Sequence, residues 1–153
     1  MKQRFYLITG VMASGKSTTA QALAQALPRC VHLRGDLFRR MIVTGREEMA
    51  DPPTEEALRQ LHLRFRLAAQ AARGYWEAGF SVVLQDNYYG PALEEMASLL
   101  RGIPLRLVVL CPSVETVRAR EARGAMWAFP QRPCGTALCG RRPAWAFGWT
   151  TPI

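Results

Sequence analysis

The sequence has no stretch approaching the roughly 18 to 20 uninterrupted apolar residues that a membrane span needs, although about half of its 153 residues are apolar. The apolar start, "FYLITGVMA", is short, broken by Gly10 and not followed by a small-residue cleavage site. No signal peptide is read there, and a soluble cytoplasmic protein without a membrane partner is expected. Cysteine is scarce: Cys30, Cys111, Cys134 and Cys139. The last two lack a second pair or a His-x-His partner, so a zinc site is not expected, and no disulfide framework is implied. Cys30 and Cys111 fall in or beside apolar strand patterns and read as buried reduced thiols.

Acidic residues are also missing from one region. All twelve lie at or before Glu121, whereas Arg123, Arg132, Arg141 and Arg142 follow without a counter-charge. Half of the net charge of +8 therefore belongs to the tail. In the body, arginines are scattered among acids as on a solvated surface, not gathered into a basic stripe interleaved with aromatics. Nucleic acid is not the expected partner.

What is present is an alternation of strand and helix patterns. "RFYLIT" (Arg4 to Thr9), "CVHLRG" (Cys30 to Gly35), "FSVVLQD" (Phe80 to Asp86) and "LRLVVL" (Leu105 to Leu110) read as short buried strands. Between them, Lys16 to Leu27 is alanine-rich and stopped by Pro28. Asp36 stands where a helix cap belongs, ahead of "LFRRMIV", which should end near Gly45. The clearest helix begins at a Thr54 cap and closes at Gly79. Leu58, Leu61, Phe65, Ala68, Ala72 and Trp76 recur on one face of it. Pro91 to Gly102 and the stretch after Ser113 read as two further helices. Such alternation means an α/β fold with a parallel sheet flanked by helices.

The chemistry starts at "GVMASGKS". Gly10, Gly15, Lys16 and Ser17 complete the phosphate-loop spacing between a strand and a helix. The glycines let backbone N–H groups curl around phosphates, and the helix N-terminus adds its positive dipole end. Gly10, Ala13, Ser14, Gly15, Lys16, Ser17 and Thr18 are thus expected to bind a nucleoside triphosphate, with Lys16 on the β- and γ-phosphates and Ser17 on Mg²⁺. Asp86, ending an apolar strand, could place that metal or could simply cap the next turn. Asp36 follows another strand, at the carboxyl edge of the sheet where ligands bind, and could accept a substrate hydroxyl proton. A plain helix cap explains it as well. Arg118, Arg120 and Arg123 crowd one helical stretch; they could ride on a closing lid or form a solvated face with Glu115 and Glu121. Arg39 and Arg40 could touch an acidic substrate but read more simply as surface. His32 reads as packed, and Tyr88 and Tyr89 could line a substrate pocket.

Taken in order, "GVMASGKS", "LRGDLFRRM", "VVLQDNYYG", "LVVLCPS" and "RAREARG" resemble P-loop small-molecule kinases of the chloramphenicol phosphotransferase and zeta-toxin type, grouped loosely as AAA-family ATPases. The resemblance spans about residues 4 to 124. It implies a P-loop NTPase fold of nucleoside-kinase-like type, ATP and Mg²⁺ as cofactors, and γ-phosphate transfer to a hydroxyl of a small molecule. It also implies Asp36 as the substrate-activating base, Asp86 near the metal, and Arg120 and Arg123 on the lid. Two alternatives stay open: a nucleotide- or polynucleotide-end kinase, and a nucleotide-binding module without turnover.

Such kinases continue with a helix, a fifth strand and a last helix. Residues 125–153 instead carry three of the four tryptophans, four prolines and no acid, with neither strand nor helix periodicity. The genetic code offers an explanation. Joining the third base of each codon to the first two of the next, "AWAFGWT" (Ala144 to Thr150) becomes Leu/Met/Val, Gly, apolar, Trp/Arg, Leu/Met/Val, Asp. That is a strand pattern ending in an acid. The expectation is a kinase domain over 1–124, followed by an irregular, frame-shifted tail over 125–153 that leaves the last strand and helix missing.

Overall fold

The computed structural model describes residues 2–123, so the expected tail and its missing strand lie outside the described residues. Nine elements follow one another among the described residues: β1 (Phe5–Gly10), α1 (Lys16–Gln25), β2 (Cys30–Arg34), α2 (Gly35–Arg40), α3 (Glu55–Glu77), β3 (Ser81–Gln85), α4 (Pro91–Leu99), β4 (Leu105–Leu110) and α5 (Val114–Arg123). The four strands form one parallel sheet in the order β2-β3-β1-β4. The α/β reading holds. No helix among the described residues is long and apolar enough to cross a membrane.

The strand order explains the burial. β1 and β3 are central, and "SVVLQ" is buried throughout while β1 is buried at all but Tyr6. Central strands of a parallel sheet are covered on both faces, so they read as continuous apolar runs. Alternate residues serve the two faces. Phe5, Leu7, Val82 and Leu84 meet Phe65, Ala68 and Ala72 of α3 and Met96 of α4. Ile8 and Val83 meet Ala20 of α1 on the other side.

α3 is built as its sequence indicates. The Ala57 N–H donates to the Thr54 hydroxyl at 3.0 Å, and Gly79, at φ 88°, turns the chain out of the helix. Its buried face runs through Ala57, Phe65, Ala68, Ala69 and Ala72, with Leu61 and Trp76 packed alongside. Leu58, expected on that face, is 38% exposed. In the first turn the residue under the helix is Ala57, four positions before Leu61, which rotates Leu58 outward.

Three other expectations are corrected. α2 ends at Arg40, not near Gly45, because Met41 is already its cap and Val43 is solvent-exposed. Asp36 does not cap α2: the helix springs from β2 at Gly35, so Asp36 falls inside its first turn, and the cap residue Arg34 makes no side-chain cap bond. Cys111 is exposed, because it stands one residue past β4, whereas Cys30 is half-buried beneath α1. The described residues divide after Leu110 into two units. In the second, the Thr116 N–H donates to the Ser113 hydroxyl at 3.3 Å at the start of α5.

Candidate active site

The carboxyl ends of β1, β2 and β3 bring the expected site residues of the first unit to one edge of the sheet. β1 ends at Gly10, whose φ of 147° suits glycine and where a Cβ would collide with the Leu110 carbonyl oxygen. The chain then turns through Ala13, at φ 57°, and enters α1 at Lys16. The Ser14 N–H donates to the Val11 carbonyl at 3.2 Å, and Thr19 N–H to Gly15 at 3.0 Å, closing the loop onto the helix. Thr9 anchors its root: the Thr9 hydroxyl donates to the Tyr88 carbonyl and accepts from the Tyr88 N–H, both at 3.0 Å. The Tyr89 hydroxyl donates to the Gly10 carbonyl at 3.1 Å.

Lys16 lies folded over this loop. Its Nζ donates to the carbonyls of Gly10 at 2.8 Å and Val11 at 2.7 Å. Burial holds its pKa down to about 8, an effect that the Asp86 carboxylate partly opposes. Ser17, the next residue, accepts a hydrogen bond from Gln85 Nε2 at 3.3 Å. The side chain touching the serine expected to hold Mg²⁺ is therefore a neutral amide from the end of β3, one residue before the expected acid.

Asp86 has a different neighbour. Only 4% exposed, it is gripped by Arg64 of α3, with Nε to Oδ2 at 2.7 Å and a second bond from Nη2 to Oδ1. The Asn87 N–H also donates to Oδ1, at 2.7 Å. This fork-on-carboxylate geometry is directional and strong. The Ser17 hydroxyl has a lone pair to offer Mg²⁺, which fits. The Asp86 carboxylate is already occupied and does not fit as a direct metal ligand in this arrangement. Against it lies Gly35, where a Cβ would collide with Asp86 Oδ2.

Asp36 follows Gly35 and stands between two arginines, Arg34 Nε at 3.6 Å and Arg40 Nη2 at 3.2 Å. Arg39 pairs with Glu48 instead. Tyr88 is buried against Phe65, its ring centroid 5.2 Å away, and its pKa is pushed well up by burial and by Asp86. α5 carries Arg118, Arg120 and Arg123 in the second unit, with Arg118 and Arg120 exposed.

Sequence reasoning missed Gly35, Arg64 and Gln85. Gly35 was visible only as a letter beside Asp36. Arg64 is one arginine among several on a long helix, and nothing in its spacing marks it. Gln85 could have been found, because an amide inside an apolar strand run needs a partner.

No curated protein matches the chain. Among solved structures, the protein called APE1195 is 26% identical, with a TM-score of 0.64 over 81% of this chain and 69% of its own. A sugar kinase from Janibacter sp. HTCC2649 is 19% identical, with a TM-score of 0.58 over 80% and 68%. A chain of the Pnkp1/Rnl/Hen1 RNA repair complex is 18% identical, with a TM-score of 0.61; 86% of this chain matches 40% of that one. These neighbours share the fold of P-loop kinases. With the AAA domain model matching residues 6–125, from the second residue of β1 past the end of α5, the chain belongs to the AAA domain family.

Proposed function

We propose that the chain binds ATP at Gly10–Thr18 and transfers its γ-phosphate to a hydroxyl of a small molecule. The observation that carries this reading is the placement of Asp36 and the Lys16–Ser17 loop on the same sheet edge, two strands apart. At about 4.8 Å per strand, the ends of β1 and β2 lie roughly 10 Å apart, enough for a phosphate and an acceptor hydroxyl between them. The ATP phosphates would draw the Lys16 ammonium off the Gly10 and Val11 carbonyls. The Asp36 carboxylate takes the hydroxyl proton, the acceptor oxygen bonds to the γ-phosphorus, and ADP leaves with the electrons of the broken P–O bond. Mg²⁺ held at Ser17 would supply positive charge to the phosphate oxygens. The lid role of Arg120 and Arg123 belongs to the same proposal: guanidinium groups brought to the phosphates would offset charge in the transition state. Arg64 is a positioning residue that fixes Asp86 against Gly35, beside Asp36.

Substrate-stimulated ADP release tests the reading, measured across a panel of hydroxyl-bearing metabolites and antibiotics. Asp36→Asn should keep ATP affinity within about twofold and lower ADP release on the order of a hundredfold or more, the scale of a lost general base. ATP binding with no acceptor-stimulated release, indifferent to Asp36→Asn, would instead identify a nucleotide-binding module without turnover.

A further inference from the structure

The end of β3 sends two polar side chains to opposite sides of the sheet. Val83 packs with Ile8 and Ala20 on the α1 side, whereas Val82 and Leu84 pack with Phe65 and Ala68 on the α3 side. Side chains alternate along a strand, so Gln85 follows Val83 toward α1 and Asp86 follows Leu84 toward α3. The ladder holds this alternation to its last residue. Gln85 is level with Ile8 of β1 and Arg34 of β2, and the Asp86 N–H still donates to the Ile8 carbonyl at 3.2 Å. The side-chain partners agree: Gln85 Nε2 donates to Ser17 of α1, and Asp86 accepts from Arg64 of α3.

This parity decides which of the two can serve the serine. Both Asp86 oxygens are engaged on the α3 side, by Arg64 and by the Asn87 N–H. Gln85 is buried and fixed in the middle of the sheet, while Ser17 is exposed. A serine hydroxyl has two lone pairs and one proton. The Gln85 N–H takes one lone pair, which restricts rotation of the hydroxyl and leaves the other lone pair for a cation. Partners of this kind orient a metal ligand without touching the metal. An amide also brings no charge, so it does not itself draw a cation in. Among the described residues, no group of three or more His, Cys, Asp or Glu side chains could hold a metal ion.

We propose that Gln85, not Asp86, is the β3 residue that serves the divalent cation: it is a positioning residue that orients the Ser17 hydroxyl. The centre then takes no carboxylate from the end of β3, and the attraction for the cation comes from the anionic oxygens of the triphosphate. Cation and nucleotide bind as one unit, and the protein alone does not hold the metal. The proposal rests on the ATP-binding half of the function proposed above and is independent of the acceptor.

Fluorescence titration of the full chain with a labelled, non-hydrolysable ATP analogue, in Mn²⁺ and in EDTA, tests it. The ratio of the two affinities measures what the cation adds. Gln85→Leu should lower that ratio about tenfold or more, the scale for a lost partner of a metal ligand, while leaving the EDTA affinity unchanged. Ser17→Ala should lower it as well, and Gln85→Leu added to Ser17→Ala should change nothing further, because the amide acts through that hydroxyl. Replacing Arg64 with Met and Asp86 with Leu together should keep the ratio. Gln85→Glu should raise it and let Mn²⁺ bind without nucleotide, seen as loss of the free Mn²⁺ resonance signal, which the wild-type protein leaves intact. If Gln85→Glu does not fold, the cycle with Ser17→Ala decides. The proposal is overturned if Gln85→Leu leaves the ratio unchanged, or lowers both affinities equally, as a loss of loop shape would. It is overturned too if the paired Arg64 and Asp86 replacement removes the ratio. An analogue that binds in neither condition defeats the ATP-binding reading and this proposal with it. Binding whose Mn²⁺ dependence ignores residue 85 defeats this proposal alone.

Discussion

Lys16 is where residue chemistry and function meet most directly. Held at a pKa of about 8 by burial, its ammonium is charged at pH 7 but loses its proton within reach of ordinary assay conditions. Phosphate binding requires the charged form, so above pH 8 each ATP bound must bring a proton with it. ATP affinity should therefore fall by up to tenfold per pH unit as pH rises from about 8, and the slope should vanish in Lys16→Met. Fluorescence titration with a labelled ATP analogue between pH 7 and 9.5 measures this, and a flat wild-type profile would sink it. Folding carries the opposite sign. A lysine whose folded pKa is depressed opposes folding at low pH, and that penalty is relieved as pH rises from about 8 toward 10.5. Of the candidate site, the loop was legible in the letters, because backbone geometry and phosphate charge demand those residue types at that spacing, whereas Asp36 was legible only as an acid at a strand end, a position that a helix cap explained as well. Gln85 at Ser17 and Arg64 at Asp86 were not, because each is a contact between elements far apart in sequence.

At the scale of elements, α3 does two things at once. Its apolar face covers one side of β1 and β3, and its Arg64 reaches from that packed helix to the carboxylate at the end of β3. Apart from Leu58 the helix was legible: cap, apolar spacing and closing glycine each reflect local physics that acts within one or two turns. Its ion pair was not, since any of its arginines could have faced the sheet. Asp86 is almost fully buried and the Arg64 side chain only 12% exposed, so removing one partner strands the other charge. Arg64→Met should cost about 3–5 kcal/mol in urea unfolding, the range for a broken buried pair. Replacing both partners, as Arg64→Met with Asp86→Leu, should cost less than Arg64→Met alone. A double variant no more stable than the single one would mean that the pair does not govern this contact. The short helix α2 shows the reverse failure. Asp36 looked like a cap, but β2 passes into α2 without a connecting loop, and no cap position was left for it to fill.

For the molecule as a whole, alternating strand and helix patterns identified a parallel α/β sheet, but not which strand lies beside which. The order β2-β3-β1-β4 depends on pairing between distant segments, and each strand's own residues are compatible with several neighbours. One consequence of that order is that β4 is an edge strand, pairing with β1 and with no second strand among the described residues. Its Leu107 and Val109 point to the same face and are 36% and 46% exposed. An edge strand that pairs on one side only among the described residues, next to exposed apolar side chains, is a template for pairing with another chain, and proteins that tolerate such edges commonly place lysine on them. The chain should therefore self-associate as its concentration rises into the tens of micromolar, a scale at which exposed edges drive aggregation. Val109→Lys puts a charge on the exposed face beside the ladder without removing any backbone pairing to Thr9. Light scattering across a concentration series should show association reduced several-fold in that variant, with ATP affinity unchanged because Val109 touches neither the phosphate loop's cations nor Asp36. Equal association in both proteins would move the sticky surface away from β4. Loss of ATP affinity together with association would mean that pairing along β4 also holds the root of the loop at Gly10.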